Sequence, residues 1–276
     1  MLVDLTTLDK CGKFKNFQHL IHVFNGKRGL HLVVLYLVVG YCRVPWGFRV
    51  WRGKDTPSPA QLALRLIDTL PKKLTKAFRV IVLADTAFGS VDFLKAVRQR
   101  RYPAIVGVRC DRKLQDGRQV CDLCKRGQQV RLEGLSFPVT ISWLYLKRDG
   151  KLEKRFVLST RPLKGSTITW WGKRRWAIEG FFKTSKHRFG LHRFGQGTLL
   201  GVYRWLVLSL IAFILAHWAY LSTNPSQLPD WGIYAHLALQ TLLPEVVVSL
   251  LLLEVERTRP LLNAFGLDLQ LTAILT

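Results

Sequence analysis

The chain has 276 residues, 49% of them hydrophobic and 11% aromatic, and carries 42 Lys and Arg against 18 Asp and Glu, a net charge of +24. Length and apolar content exclude a disordered chain and allow one large domain with an insertion, or two smaller domains. The charge excludes indifference to polyanions: nucleic acid is the leading partner, an anionic membrane surface the second.

The opening residues Leu2–Thr6 read as a short strand that begins almost at once, with Asp4 inside it. No secretory signal is expected, because Met1-Leu2-Val3 runs into Asp4 without a basic segment followed by an apolar one. Phe14–Phe24 reads as β-like. Leu30–Val39 is a continuous β-branched run of the kind a central strand shows, and Tyr41–Trp51 suits a third strand. Thr56-Pro57-Ser58-Pro59 breaks this pattern and starts a helix, whose buried face is Leu62, Leu64, Leu66, Ile67 and Leu70 and which Pro71 ends. Arg79–Ala84 is a compact buried strand that delivers Asp85 at its C-terminal end, where α/β sheets commonly place ligands. An amphipathic helix over Ser90–Arg101, with Ser90 as N-cap, and a strand over Ala104–Val108 follow.

Between Cys110 and Thr160 the pattern changes. Short β-like pieces at Gln128–Leu132, Val139–Leu146 and Arg155–Leu158 lie between turn signals such as Asp116-Gly117 and Asp149-Gly150, which reads as a β-rich insertion. Trp170–Arg188 is expected to be one helix. Apolar helices occupy most of 199–255. The stretch from Trp205 to Leu221 is nearly all apolar, but its ~17 residues sit at the low edge of a membrane span, and His217 and Arg204 favour a buried helix. All but three of the Lys and Arg precede position 199, so the body reads as the polyanion-binding part and the tail as a packing element. Five cysteines, Cys11, Cys42, Cys110, Cys121 and Cys124, make an odd set in a chain of this size, which suits a reducing cytosol better than a disulfide framework. Cys121-Asp122-Leu123-Cys124 is a lone pair without a second pair at zinc-like spacing.

In so basic a chain the acids carry the information. Glu179 is the only acidic residue between Glu153 and Asp230, and Arg175, Glu179, Lys183 and Lys186 fall on one face of a continuous helix. A surface helix with i,i+4 pairs explains this as well as chemistry does. Taken with Asp4 and Asp85 the chemical reading gains. Phosphodiester cleavage calls for two divalent cations ~3.5–4 Å apart, and Mg²⁺ prefers carboxylate oxygens. Asp9 is a second candidate for the first acid; Asp4 is preferred because it lies within the apolar strand.

The run Arg175-Trp176-Ala177-Ile178-Glu179-Gly180-Phe181-Phe182-Lys183-Thr184-Ser185-Lys186 resembles the signature of insertion-sequence-four-like transposases, which is Tyr, two residues, Arg, three residues, Glu, six residues, Lys. Arg175, Glu179 and Lys186 match its last three positions, while the Tyr position falls on Gly172, with Trp170 and Trp171 just before it. Leu83-Ala84-Asp85-Thr86-Ala87-Phe88-Gly89-Ser90 resembles the family's second aspartate motif, and Val3-Asp4-Leu5-Thr6-Thr7-Leu8-Asp9-Lys10 the first.

The resemblance implies an α/β fold, namely a ribonuclease-H-like mixed sheet with flanking helices, a β-rich insertion before the catalytic helix and a helical C-terminal tail. The expected segments are a core over 1–105, the insertion over 106–160, the second core part with the catalytic helix over 161–225, and a helical segment over 226–276. It implies a DDE transposase, cutting and joining DNA, in which Asp4, Asp85 and Glu179 hold two Mg²⁺ ions, with Mn²⁺ able to substitute. Arg175, Trp176, Lys183 and Lys186 would contact DNA. In hairpin-forming relatives a Trp in the insertion stacks on a flipped base, which makes Trp143 a candidate against the simpler reading of sheet packing. The implied partners are double-stranded transposon-end and target DNA and a second copy of the chain in the DNA complex, with no stable membrane insertion, in the bacterial cytoplasm at the nucleoid. Such transposases carry an N-terminal DNA-end-binding domain, so the expectation is a catalytic part of a split or truncated frame. A DNA-binding remnant without catalysis and a basic membrane-associated protein anchored by 201–221 and 244–253 are the competing readings.

Overall fold

The computed structural model describes residues 1–10, 16–148, 150–223 and 231–268. It divides into two compact units, residues 1–212 and 213–276.

In the larger unit nine strands form one sheet among the described residues: β1 (Leu2–Asp9), β2 (His22–Phe24), β3 (Lys27–Val39), β4 (Cys42–Trp51), β5 (Val82–Ala84), β6 (Ala104–Val108), β7 (Gln128–Val130), β8 (Val139–Arg148) and β9 (Lys151–Ser159). The order is β2-β3-β1-β5-β6-β9-β8-β7, and β4 also pairs with β3. β1 runs antiparallel to β3 and parallel to β5, and β5 runs parallel to β6, so the sheet is mixed. β3 is buried from Gly29 to Tyr36 and covered on both faces, which is why its sequence is continuously apolar rather than alternating. The strands expected in the insertion do not stand apart: β9 pairs with β6, and β8 with β9, so they prolong the central sheet.

Alternation along β1 sorts the helices. Val3 and its register partner Leu35 join α1 (Pro59–Ile67) and α3 (Val91–Gln99) in one core, through Leu62, Leu66, Phe93 and Val97. Leu2 pairs with Tyr36 on the opposite face, where the Tyr36 ring stacks on Phe181 at 4.6 Å. Helices therefore cover both faces, and with the helical C-terminal region this is the expected architecture. Both expected helix starts are present. Ser58 forms a capping box with Gln61 behind Pro59, and the Ser90 hydroxyl accepts from the Phe93 N–H.

Three local expectations change. The Phe14–Phe24 piece is, over its described part, a single 3-10 turn at Gln18–Leu20 followed by the short β2. A short helix, α2 (Lys72–Ala77), follows Pro71; it has no buried residue, and so no apolar periodicity announced it. Trp170–Arg188 is two helices, α4 (Gly165–Arg174) and α5 (Ala177–His187). At the joint, the N–H groups of Trp176, Ile178 and Glu179 reach back three residues instead of four.

The helix α6 (Leu199–Ser222) crosses the division between the units. Within the larger unit Val202 and Leu206 are buried and the Trp205 indole donates to the Gly190 carbonyl at 2.9 Å. In the smaller unit the end of α6 and the start of α7 (Trp231–Ala264) share an aromatic cluster, with Phe213 against Trp231 at 4.5 Å and Tyr220 against Tyr234 at 4.9 Å. Both α6 and α7 are long and apolar enough to cross a membrane by length and composition. Along α7, Val246, Val247, Val248 and Leu250 to Leu253 are exposed.

Candidate active site

Strand register brings the first two acids together. Leu2 pairs with Leu83 and Val3 with Ala84 across the parallel β1–β5 contact, so the next residue of each strand is Asp4 and Asp85. β5 stops there, and Asp85 opens a 3-10 turn over Thr86–Phe88 whose Phe88 N–H returns to the Asp85 carbonyl at 2.9 Å. This turn lies flat on β6 because Gly107 has no side chain: a Cβ there would sit 2.5 Å from the Thr86 hydroxyl and 2.8 Å from its amide nitrogen. An isolated Gly within a strand pattern is the sequence signal for such an approach. Gly107→Ala is therefore expected to cost about 1–3 kcal/mol by overpacking and to disturb Asp85. Denaturant melting checks the first effect; a stability loss within 0.5 kcal/mol, about the range of a neutral surface change, would show that the turn is not held this way.

The third acid arrives from the joint between α4 and α5. Arg175 ends α4, and Glu179 lies in the first turn of α5. One Nη of Arg175 donates to Asp4 Oδ2 at 2.9 Å and the other to Glu179 Oε1 at 2.6 Å. Asp4 Oδ1 accepts from the Leu5 N–H at 2.8 Å. Arg175 and Asp4 are nearly closed off from solvent, with side chains 15% and 13% exposed, while Glu179 is 53% exposed. Burial pushes the Asp4 carboxyl up to about 7; Arg175 works against this, and the charges of Asp85 and Glu179 add to it.

Asp85, Arg175, Trp176 and Glu179 line one cleft of about 650 Å³, whose wall continues along Leu144 and Val157 of β8 and β9. Glu179 thus shares the cleft with Asp85, and through Arg175 it is joined to Asp4, rather than lying on the far side of its helix. Even so, among the described residues no three His, Cys, Asp or Glu groups stand close enough as arranged to hold a metal ion. The donor set still fits a hard divalent cation in kind, being three carboxylates, of which Asp85 and Glu179 line the cleft and Asp4 is joined to Glu179 through Arg175.

The expected DNA contacts divide. Trp176 is 37% exposed at the cleft and Lys183 is exposed on α5. Lys186 is placed otherwise: its ammonium donates to the Thr7 carbonyl at 2.7 Å and ties α5 to β1, and its burial lowers its pKa. Trp143 packs in the core at 6% exposure, with the Lys154 ammonium 4.2 Å above its ring, so it offers no open face to a base. Cys42, Cys110, Cys121 and Cys124 are exposed free thiols. Two contacts that the sequence did not announce are the Arg175–Asp4 ion pair and the Thr7–Lys186 tether, since a cation bonded to a distant part of the chain leaves no local pattern.

With this geometry in view, the sequence profile of the transposase DDE domain matches residues 1–215. The chain belongs to the transposase DDE domain family. The matched span contains Asp4, Asp85 and Glu179. No curated protein matches the sequence. Among solved structures the DDE chain is similar to a piggyBac transposase in a synaptic complex with hairpin DNA, determined by cryo-electron microscopy, with 12% identity and a TM-score of 0.48. That alignment covers 87% of this chain and 51% of the other, so the DDE chain spans about half its length.

Proposed function

We propose that this chain is the catalytic part of a transposase that cleaves DNA and joins the freed 3′-hydroxyl to target DNA. The observation that carries the reading is the meeting of Asp4 and Asp85 on adjacent parallel strands, with Glu179 linked to Asp4 through Arg175. Asp4, Asp85 and Glu179 would hold Mg²⁺, or Mn²⁺ in its place, and two such ions activate the attacking oxygen and stabilise the leaving oxygen of a phosphodiester. The protein's own share is positioning. The Arg175 fork matches phosphate geometry, the exposed Trp176 ring stands beside the cleft, and Lys183 adds charge along α5. The match of Arg175, Glu179 and Lys186 to the signature supports placement in the insertion-sequence-four-like branch. Transposon-end and target duplexes, and a second copy of the chain, are the partners this reading requires.

The test is nicking of supercoiled plasmid by the purified chain with Mg²⁺ or Mn²⁺. Cleavage is expected to need the cation and to fall on the order of 1000-fold, equal to ~4 kcal/mol of barrier, in Asp85→Asn. Cleavage without a divalent cation, or unchanged in that variant, would sink the proposal.

A further inference from the structure

We infer that Arg175 is a displaceable internal counter-ion that closes the acid cluster until a DNA phosphate draws it into the cleft, so that DNA and divalent metal bind cooperatively; this rests on the function proposed above. Both oxygens of Asp4 are engaged: the main-chain N–H of Leu5 takes Oδ1, and Arg175 takes Oδ2. The same guanidinium holds Glu179, so one cation stands between a strand acid and a helix acid. This accounts for acids that strand register and one guanidinium bring near one another while no three groups among the described residues are set to share an ion.

Three features make the clamp releasable. Arg175 lines the cleft, and so is within reach of an anion seated there. It uses two of its five N–H donors on the acids, which leaves donors to engage a phosphate before the carboxylates are let go. It also sits at the joint of α4 and α5, where the helical hydrogen-bond ladder is already interrupted. A static tether would serve only to hold α5 on the sheet. That task already has Lys186 on the Thr7 carbonyl and Phe181 on Tyr36.

The experiment is calorimetric titration of the full chain at pH 8 with Ca²⁺ alone, with and without a short DNA duplex, in wild type, Arg175→Gln, Arg175→Lys and Asp4→Asn. Coupling between two ligands is typically 5–150-fold and reciprocal, so DNA is expected to raise the wild-type Ca²⁺ affinity about tenfold. Arg175→Gln is expected to bind Ca²⁺ about tenfold more tightly than wild type without DNA, and to gain little more when DNA is added. Arg175→Lys, which keeps the charge but lacks the fork, is expected to fall between and guards against misfolding of the Gln variant. If both variants bind Ca²⁺ no more tightly than wild type while Asp4→Asn abolishes binding, the counter-ion role is overturned and the metal site stands. If wild type binds no Ca²⁺ with or without DNA, the metal-site reading falls and takes this inference with it.

Discussion

Replacing Asp4 with Asn is expected to abolish DNA cleavage and, at the same time, to make the protein harder to melt. The loss of cleavage should be at least on the order of 1000-fold, since the acid is one of three that would fix the reacting phosphate. The gain in stability follows from burial. Asp4 has a folded pKa of about 7 against 3.8 for the free side chain, so between those values the folded state holds a proton that the unfolded state has lost. Stability therefore falls as pH rises through that window and stays reduced above it. Asn removes the penalty, though it leaves Arg175 with Glu179 as its single carboxylate partner, so the gain at pH 8 should be at most a few kcal/mol. Thermal melts of both proteins from pH 4 to pH 8 should start together and separate as pH rises, the variant ending higher. A variant that melts below wild type at pH 8 and still cleaves DNA would refute both halves.

Removing the Phe181 ring is expected to be the most damaging change outside the acids. Phe181 is 3% exposed and lies on Tyr36, itself 1% exposed, while Ile178 one turn earlier on the same helix is fully buried. Deleting a ring of this kind costs about 3–5 kcal/mol. The loss should be concentrated in α5, because the core built on Val3, Leu62 and Phe93 lies on the other face of the sheet. Phe181→Ala should therefore lower the denaturant midpoint and raise amide exchange over 177–187 first, with cleavage lost as Glu179 drifts. Phe181→Leu should recover most of both. Uniform exchange across the chain, or a loss below about 1 kcal/mol, the typical effect of any single mutation, would mean that α5 is not held by this contact.

Much of the fold was legible because its signals are local. β3 announced itself as an unbroken apolar run, since burial on both faces leaves no polar position to alternate with. The Thr56-Pro57-Ser58-Pro59 run marked one helix start as a break in the strand pattern, and Ser90 marked another by the chemistry of its hydroxyl. Glu179 was conspicuous as one acid among cations. The joint at Arg175 and Trp176 was not visible, because both residues keep helical backbone angles and the break consists only of a shift in hydrogen-bond partners. The role of Lys186 was equally hidden: as a charged residue in a basic run it looks solvated, and only the fold shows the Thr7 carbonyl it satisfies. Continuity of β8 and β9 with the central sheet depends on the pairing of β6 with β9, which no stretch of sequence encodes by itself.

The pairing of Leu2 with Leu83 and Val3 with Ala84 has a consequence for how such chains tolerate length changes. The separation of Asp4 and Asp85 in space depends on the alignment of two short strands and not on the polypeptide that joins them. Loops within that excursion, such as the one after Trp51, are free to lengthen at the small entropic cost of a longer closure, ~0.6 kcal/mol for each doubling. Inserting one residue between Leu2 and Asp4 is a different matter: it would turn the acid to the opposite face of the sheet, into the space held by Leu62 and Leu66. Within this family, insertions should therefore gather in the excursion and be absent from the few residues ahead of each aspartate.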